Sequence, residues 1–238
     1  IKVLQEAGVS VHQPEPNRWV VAAGPITAED TAIEPDLSNA GPYLAAAVVT
    51  GGSVTVPYWP VETTQIGDRW RDILPKFGAN VAFEPVAGTN YGNLTVTGVR
   101  DAEDTPVVTG GGEIADLAEL TPTTAALALL ADGETRLTKI GHLRGHETDR
   151  LTALTAEAKK LGATIEEGED YLTFAGNYRL HPATIDSYAD HRMATFGAII
   201  GLAVDGTVVN DVATTAKTMP DFPVAWTKLA AGERQLRA

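Results

Sequence analysis

Lys160-Leu161-Gly162-Ala163-Thr164, answered by Tyr171-Leu172-Thr173-Phe174, decides the fold, because the chain writes this phrase three times. Leu4-Gln5-Glu6-Ala7-Gly8-Val9 leads to Trp19-Val20-Val21 in the same way, and Leu74-Pro75-Lys76-Phe77-Gly78-Ala79 leads to Leu94-Thr95-Val96. Each copy reads as a helix that stops at a glycine, then a strand, a turn and a second strand. Glycine suits a helix end because it enters the left-handed conformation without a Cβ clash.

A second phrase alternates with the first. Leu44-Ala45-Ala46-Ala47 precedes Gly51-Gly52-Ser53-Val54-Thr55-Val56, and Ala125-Ala126-Leu127-Ala128 precedes Gly133-Glu134-Thr135-Arg136-Leu137. Gly197-Ala198-Ile199-Ile200 precedes Gly206-Thr207-Val208-Val209. Each is an Ala-rich helix, a Gly turn and a strand. Small side chains let such helices pack closely and centrally, with amphipathic helices and sheets outside. Gly8, Gly78 and Gly162 stand about 70–85 residues apart, too far for ordinary solenoid repeats. The pattern predicts an α/β (α+β) fold of three βαβαββ-like modules around shared Ala-rich helices, which start near Gly41, Thr123 and Met193. The stretch from Ala22 to Pro35, rich in Pro, Gly and acids, reads as the domain boundary.

The 238 residues suffice for one large domain or one and a half average ones. A net charge of −13 argues against nucleic acid and against an anionic membrane surface as partners. Any anionic ligand must then meet a local cluster of cations. The chain has no cysteine, which removes disulfides and thiolate ligands and fits a reducing cytoplasm. No apolar run is long enough to span a bilayer. The chain opens without Met, on residues that read as the last turns of a helix, and so reads as part of something longer.

Cations gather in three segments: Glu147-Thr148-Asp149-Arg150, Asp190-His191-Arg192-Met193 and Ala216-Lys217-Thr218. Glu147 and Arg150 share a face ahead of an amphipathic helix through Leu151, Leu154 and Ala158. They suit either a surface ion pair or a carboxylate acid/base beside an anion-binding arginine. Asp190 reads as an N-cap, with His191 and Arg192 on a first turn where cations oppose the helix dipole. Such a turn can serve an anion. Lys217, in a small-residue loop, is either solvated or part of that site. Glu119 precedes the second Ala-rich helix. His142 and His146 have a zinc-like spacing, but no third ligand and no His-Glu-x-x-His pattern accompany them, so no metal is expected. The sequence also lacks a P-loop, GxGxxG and GxSxG.

His142-Leu143-Arg144-Gly145-His146-Glu147-Thr148-Asp149-Arg150-Leu151, Tyr188-Ala189-Asp190-His191-Arg192-Met193-Ala194 and Thr215-Ala216-Lys217-Thr218 resemble the enolpyruvyl transferases, and among them the EPSP synthases. Asp36-Leu37-Ser38-Asn39-Ala40 belongs to the same likeness, which runs almost the whole chain. The Arg-Gly-His spelling looks actinobacterial. The resemblance implies an inside-out α/β barrel of βαβαββ units. It implies that residues 1–33 are the tail of a missing first domain and that residues 34–238 are most of one three-repeat domain. It implies transfer of the enolpyruvyl group of phosphoenolpyruvate to the 5-hydroxyl of shikimate 3-phosphate, without a cofactor, in a full-length cytoplasmic monomer, with this portion inactive alone. UDP-N-acetylglucosamine enolpyruvyl transferase and a non-catalytic repeat module for protein binding are the alternatives.

By resemblance, Glu147 handles the methyl proton, with Lys217 a second proton-transfer candidate. Glu119 takes the 5-hydroxyl proton, where many relatives have Asp. Arg150 and Arg192 bind the phosphoenolpyruvate carboxylate, Lys217 its phosphate, and His191 supports Glu147. His142 and His146, where many relatives carry Asn and Lys, count among the substrate-binding residues.

Overall fold

The computed structural model describes residues 1–27, 30 and 33–232. The chain divides into two compact units, Ile1–Glu34 and Pro35–Ala238. In the first unit, α1 (Lys2–Glu6) passes through Gly8 at φ 76° to β1 (Val11–Glu15) and β2 (Arg18–Val21). These strands pair antiparallel, with Val11 opposite Val21. Ala28, Glu29, Thr31 and Ala32 of the expected boundary stretch lie outside the described residues.

The second unit opens with α2 (Leu37–Thr50) and β3 (Ser53–Pro60). Next come α3 (Trp70–Ile73), between two 3-10 turns, and the strands β4 (Asn80–Pro85), β5 (Tyr91–Thr97), β6 (Val99–Arg100), β7 (Pro106–Val107) and β8 (Gly112–Ala115). There follow α4 (Thr121–Leu130), β9 (Thr135–Thr138), α5 (Arg150–Lys160), β10 (Glu166–Glu167) and β11 (Leu172–Phe174). The unit ends with β12 (Thr184–Asp186), α6 (His191–Gly201), β13 (Val208–Asn210) and α7 (Phe222–Ala230).

Both repeated phrases fold as read. Gly78 and Gly162 follow their helices at φ 90° and 91°, where a Cβ would be strained. The Ala-rich helices form the interior and pack against one another: ten of fourteen residues of α2, nine of ten of α4 and eight of eleven of α6 are buried. They begin earlier than expected, at Leu37, Thr121 and His191 rather than near Gly41, Thr123 and Met193. The apolar run marks the buried middle of each helix, while the starts are set by polar caps and proline. Asp36 accepts the N–H groups of Ser38 (3.0 Å) and Asn39 (3.1 Å), Pro122 sits in the first turn of α4, and Asp190 caps α6.

The sequence β8–α4–β9–α5–β10–β11 is a complete βαβαββ module. Its sheet has the order β10-β11-β9-β8, with β8 and β9 parallel and the other neighbours antiparallel. The other two modules depart from the ideal. Ahead of α2, no strand lies among the described residues of the second unit, so this module reads αβαββ around the antiparallel sheet β3-β5-β4. β12–α6–β13 is a parallel crossover followed by α7 rather than by a strand pair. One apolar cluster, with Trp59, Trp70, Phe77, Phe174 and Phe196, runs through the unit and leaves the starts of α2, α4, α5 and α6 free to carry polar groups.

Candidate active site

Four side chains link the starts of α5 and α6 to the 3-10 turn Val212–Lys217. Asp190, fully buried, caps α6 by accepting the Arg192 N–H at 2.8 Å. It also accepts Arg150 Nε at 2.7 Å and Nη2 at 3.3 Å. Arg150 is the first residue of α5 and is 1% exposed. The capping of α5 by Asp149, which accepts Thr152 N–H at 3.1 Å, fixes where Arg150 starts. Arg150 Nη2 donates to Glu147 Oε2 at 3.0 Å, and Lys217 Nζ donates to Glu147 Oε1 at 2.6 Å. The order is Lys217–Glu147–Arg150–Asp190, with alternating charge.

Such a chain satisfies buried charges that would be very costly alone. Lys217, which ends the 3-10 turn Val212–Lys217, is over half exposed, so the chain runs from solvent to interior. The Lys217 hydrogen bond, followed by a backbone hydrogen bond and the charge of Arg150, holds the Glu147 carboxyl down at about 2.

Arg192 is half-buried on the same helix start. Its Nη2 donates to Ser38 Oγ at 3.2 Å, in the first turn of α2, and it forms no ion pair among the described residues. Burial, and then the neighbouring Arg150, pull its pKa below the ordinary arginine value, while the charges of Glu119, Asp36 and Asp190 push it up. Glu119 lies in the 3-10 turn Ala118–Leu120, which packs against the 3-10 turn Gly141–Gly145 that carries His142. His191 is 4% exposed and neither ring nitrogen has a hydrogen-bond partner among the described residues, Nδ1 standing 3.8 Å from Asp190 Oδ1; burial, then Arg192, shift it toward the neutral form.

His142 and His146 lie next to each other, ring centroids 5.9 Å apart. His146 Nδ1 is 3.4 Å from Arg150 Nη1, and burial, then Arg150, disfavour its protonation. Every residue singled out in the sequence thus falls in one region, but Arg150 differs from the expectation for a ligand arginine: two carboxylates already engage Nε and Nη2, and Nη1 faces His146.

Sequence reasoning missed two contributors. Asp190 is more than a cap, because it also grips Arg150; the signal was a buried-helix N-cap beside a second arginine. Arg144 fastens the 142–149 loop: it pairs with Asp149 (3.0 Å) and Glu167 (2.8 Å) and donates to the Gly168 and Glu169 carbonyls. A cavity of about 450 Å³ lies elsewhere, against the far ends of α4 and α6, and none of these cations line it.

The model of the family described as EPSP synthase (3-phosphoshikimate 1-carboxyvinyltransferase) matches residues 1–226. The chain belongs to the EPSP synthase family. A 3-phosphoshikimate 1-carboxyvinyltransferase of Kocuria rhizophila is 48% identical over 233 residues, covering 98% of this chain and 50% of that protein. The chain therefore spans about half the length of the curated relatives it matches. Among solved structures, an EPSP synthase of Acinetobacter baumannii superposes with a TM-score of 0.73 at 22% identity, over 96% of this chain and 53% of that one. The enolpyruvyl transferase NikO of Streptomyces tendae gives 0.65 at 20%, over 96% and 51%. At these identities the structural likeness speaks for the fold, the inside-out α/β fold of enolpyruvyl transferases.

Proposed function

We propose that this chain carries one wall of an active site that transfers the enolpyruvyl group of phosphoenolpyruvate to the 5-hydroxyl of shikimate 3-phosphate. The observation that carries the reading is the linked series Lys217–Glu147–Arg150–Asp190 with Arg192 beside it, built from the segments that resemble the family. In this reading residues 1–33 complete another domain and residues 34–238 form most of one three-repeat domain. The substrates are small anions, no cofactor takes part, and the full-length enzyme works as a cytoplasmic monomer. Among the described residues no helix is long and apolar enough to cross a membrane. The family match favours this substrate pair over a UDP-sugar, and the gathering of the cations counts against a scattered-charge binding module.

Arg192 takes the phosphoenolpyruvate carboxylate, with Arg150 Nη1 the second donor once His146 turns aside. Lys217 takes the phosphate. Each charge-assisted bond contributes roughly 1.5–3 kcal/mol. Glu147 at rest holds its proton poorly, because Lys217, with a backbone hydrogen bond and Arg150 behind it, lowers its pKa to about 2. The arriving phosphate competes for Lys217, and once the amine leaves, the carboxyl rises toward the range where it can carry a proton.

Protonated Glu147 then gives its proton to C3, and C2 becomes cation-like. The 5-oxygen forms its bond to C2, and its proton passes to Glu119. In the second half Glu147 takes a proton back from C3, the bond from C2 to the phosphate oxygen breaks, and phosphate leaves with the proton from Glu119. Neutral His191 packs beside the pair and keeps water from Glu147. His142 and His146 border the site for the shikimate phosphate.

The test is phosphate release by a chimaera in which this chain replaces the matching half of the Kocuria relative. Glu147→Gln and Lys217→Met should each lower kcat by roughly 10²–10⁴. Variants that stay within tenfold of the chimaera would refute the assignment.

A further inference from the structure

Two consecutive residues ahead of the site have left-handed backbones without being glycine: Tyr188 and Ala189, both at φ 54°. L-residues avoid this region, so the surrounding structure must hold them there. The turn they make delivers Asp190, whose N–H donates to the Ser187 carbonyl at 2.8 Å. Its orientation therefore sets where Asp190, His191 and Arg192 point.

Glu157 holds the turn. It lies two helical turns beyond Arg150 on α5 and is 0% exposed. Tyr188 Oη donates to Glu157 Oε1 at 2.6 Å, and the Asp186 N–H donates to Oε2 at 3.3 Å. Lys160 Nζ neutralises it at 2.8 Å and also reaches Asp186 at 2.7 Å. Asn210 on β13 donates to the other Asp186 oxygen at 2.8 Å. Burial and the Glu157 hydrogen bond push the Tyr188 hydroxyl up to about 12, so it stays a donor across the working range. Helices α5 and α6 are thus fastened twice, by Arg150–Asp190 at the site and by Glu157–Tyr188 behind it.

We propose that Glu157 and Tyr188 are positioning residues, a brace that keeps the strained 188–189 turn in register so that Asp190 meets Arg150 and Arg192 faces the anion. The effect on phosphoenolpyruvate rests on the function proposed above; the effect on the Arg150–Asp190 contact does not. Tyr188 is 38% exposed, so Tyr188→Phe removes one hydroxyl and little packing.

The experiment uses the full chain, wild type against Tyr188→Phe, Tyr188→Phe/Ala189→Gly and Arg192→Ala. It reads three quantities: thermal stability, solvent exchange of the Arg150 Nε–H by NMR, and the Kd of phosphoenolpyruvate. Tyr188→Phe should change the melting point little and speed Nε–H exchange. It should weaken phosphoenolpyruvate binding roughly tenfold, the scale of a small misplacement of a ligand group. Ala189→Gly relaxes the turn and should restore both readouts, which a purely structural role for the hydroxyl would not predict.

Unchanged Arg150 exchange in Tyr188→Phe overturns the brace, whatever the ligand does. Faster exchange with wild-type binding limits the brace to geometry and overturns its role in recognition. If Arg192→Ala binds phosphoenolpyruvate as the wild type does, the proposed function fails instead, and the exchange readout still decides the brace.

Discussion

The β3-β5-β4 half of the second unit and the α5–α6 seam bury their side chains by opposite rules. In the first, Trp59, Trp70, Phe77, Leu94 and Val96 are buried, and between Asn39 and Leu120 no charged side chain is. Its sheet face toward solvent carries hydroxyl pairs such as Thr55–Thr95 at 2.9 Å. In the seam, Arg150, Glu157, Asp190 and His191 are all buried within one helix pair. Apolar packing alone would stabilise the seam at least as well, since buried ion pairs rarely outdo well-packed apolar groups. The first region shows what this sequence does when only stability is at stake. The seam's charges therefore point to a task, and the start of α2 joins it through the Ser38 hydroxyl, which accepts from Arg192.

The largest expected effect tests whether the seam's charges depend on one another. Asp190→Ala leaves Arg150 buried with Glu147 as its one carboxylate, and should cost about 3–5 kcal/mol by chemical denaturation. Adding Arg150→Met should recover part of that loss. If the double variant is no better than the single one, the seam is ordinary packing. Leu94→Ala, in the other region, should cost about 2–5 kcal/mol, and that cost should not vary with pH.

A smaller effect separates the regions by their response to acid. Glu147 has its pKa lowered from 4.5 to about 2, so its contribution is complete above 4.5 and disappears as pH falls toward 2. The stability gap between wild type and Glu147→Gln should therefore be constant from neutral pH down to about 4.5 and close below it. A gap that widens on acidification would contradict the Lys217 pairing. The smallest effect belongs to the surface: Lys139→Ala breaks an exposed pair with Asp116 and should change stability by less than about 1 kcal/mol.

The fold was legible because its repeats rest on backbone chemistry: a glycine past a helix end and an Ala run in a crowded interior both leave a mark in one sequence. Helix starts were less legible, since Asp36 and Asp190 cap from outside the apolar run. Among the candidate site residues, the types and their order singled out Glu147, Arg150, Arg192 and Lys217 through resemblance. Their pairing could not be read, because it depends on contacts 40 residues apart for Arg150–Asp190 and 70 for Lys217–Glu147. The brace at Glu157 was hidden for a related reason: an acid inside an amphipathic helix looks solvated until the 188–189 turn folds over it.

The central claim is that an anion takes Lys217 away from Glu147 and so arms the carboxyl. Carbon-13 NMR of the Glu147 carboxyl against pH, with and without phosphoenolpyruvate, tests it most directly. The account predicts a midpoint at about 2 in the free chain that rises toward the ordinary 4.5 with ligand, and no such rise in Lys217→Met, in which Glu147 should start above about 2. A Glu147 midpoint that stays at about 2 with phosphoenolpyruvate bound would contradict it.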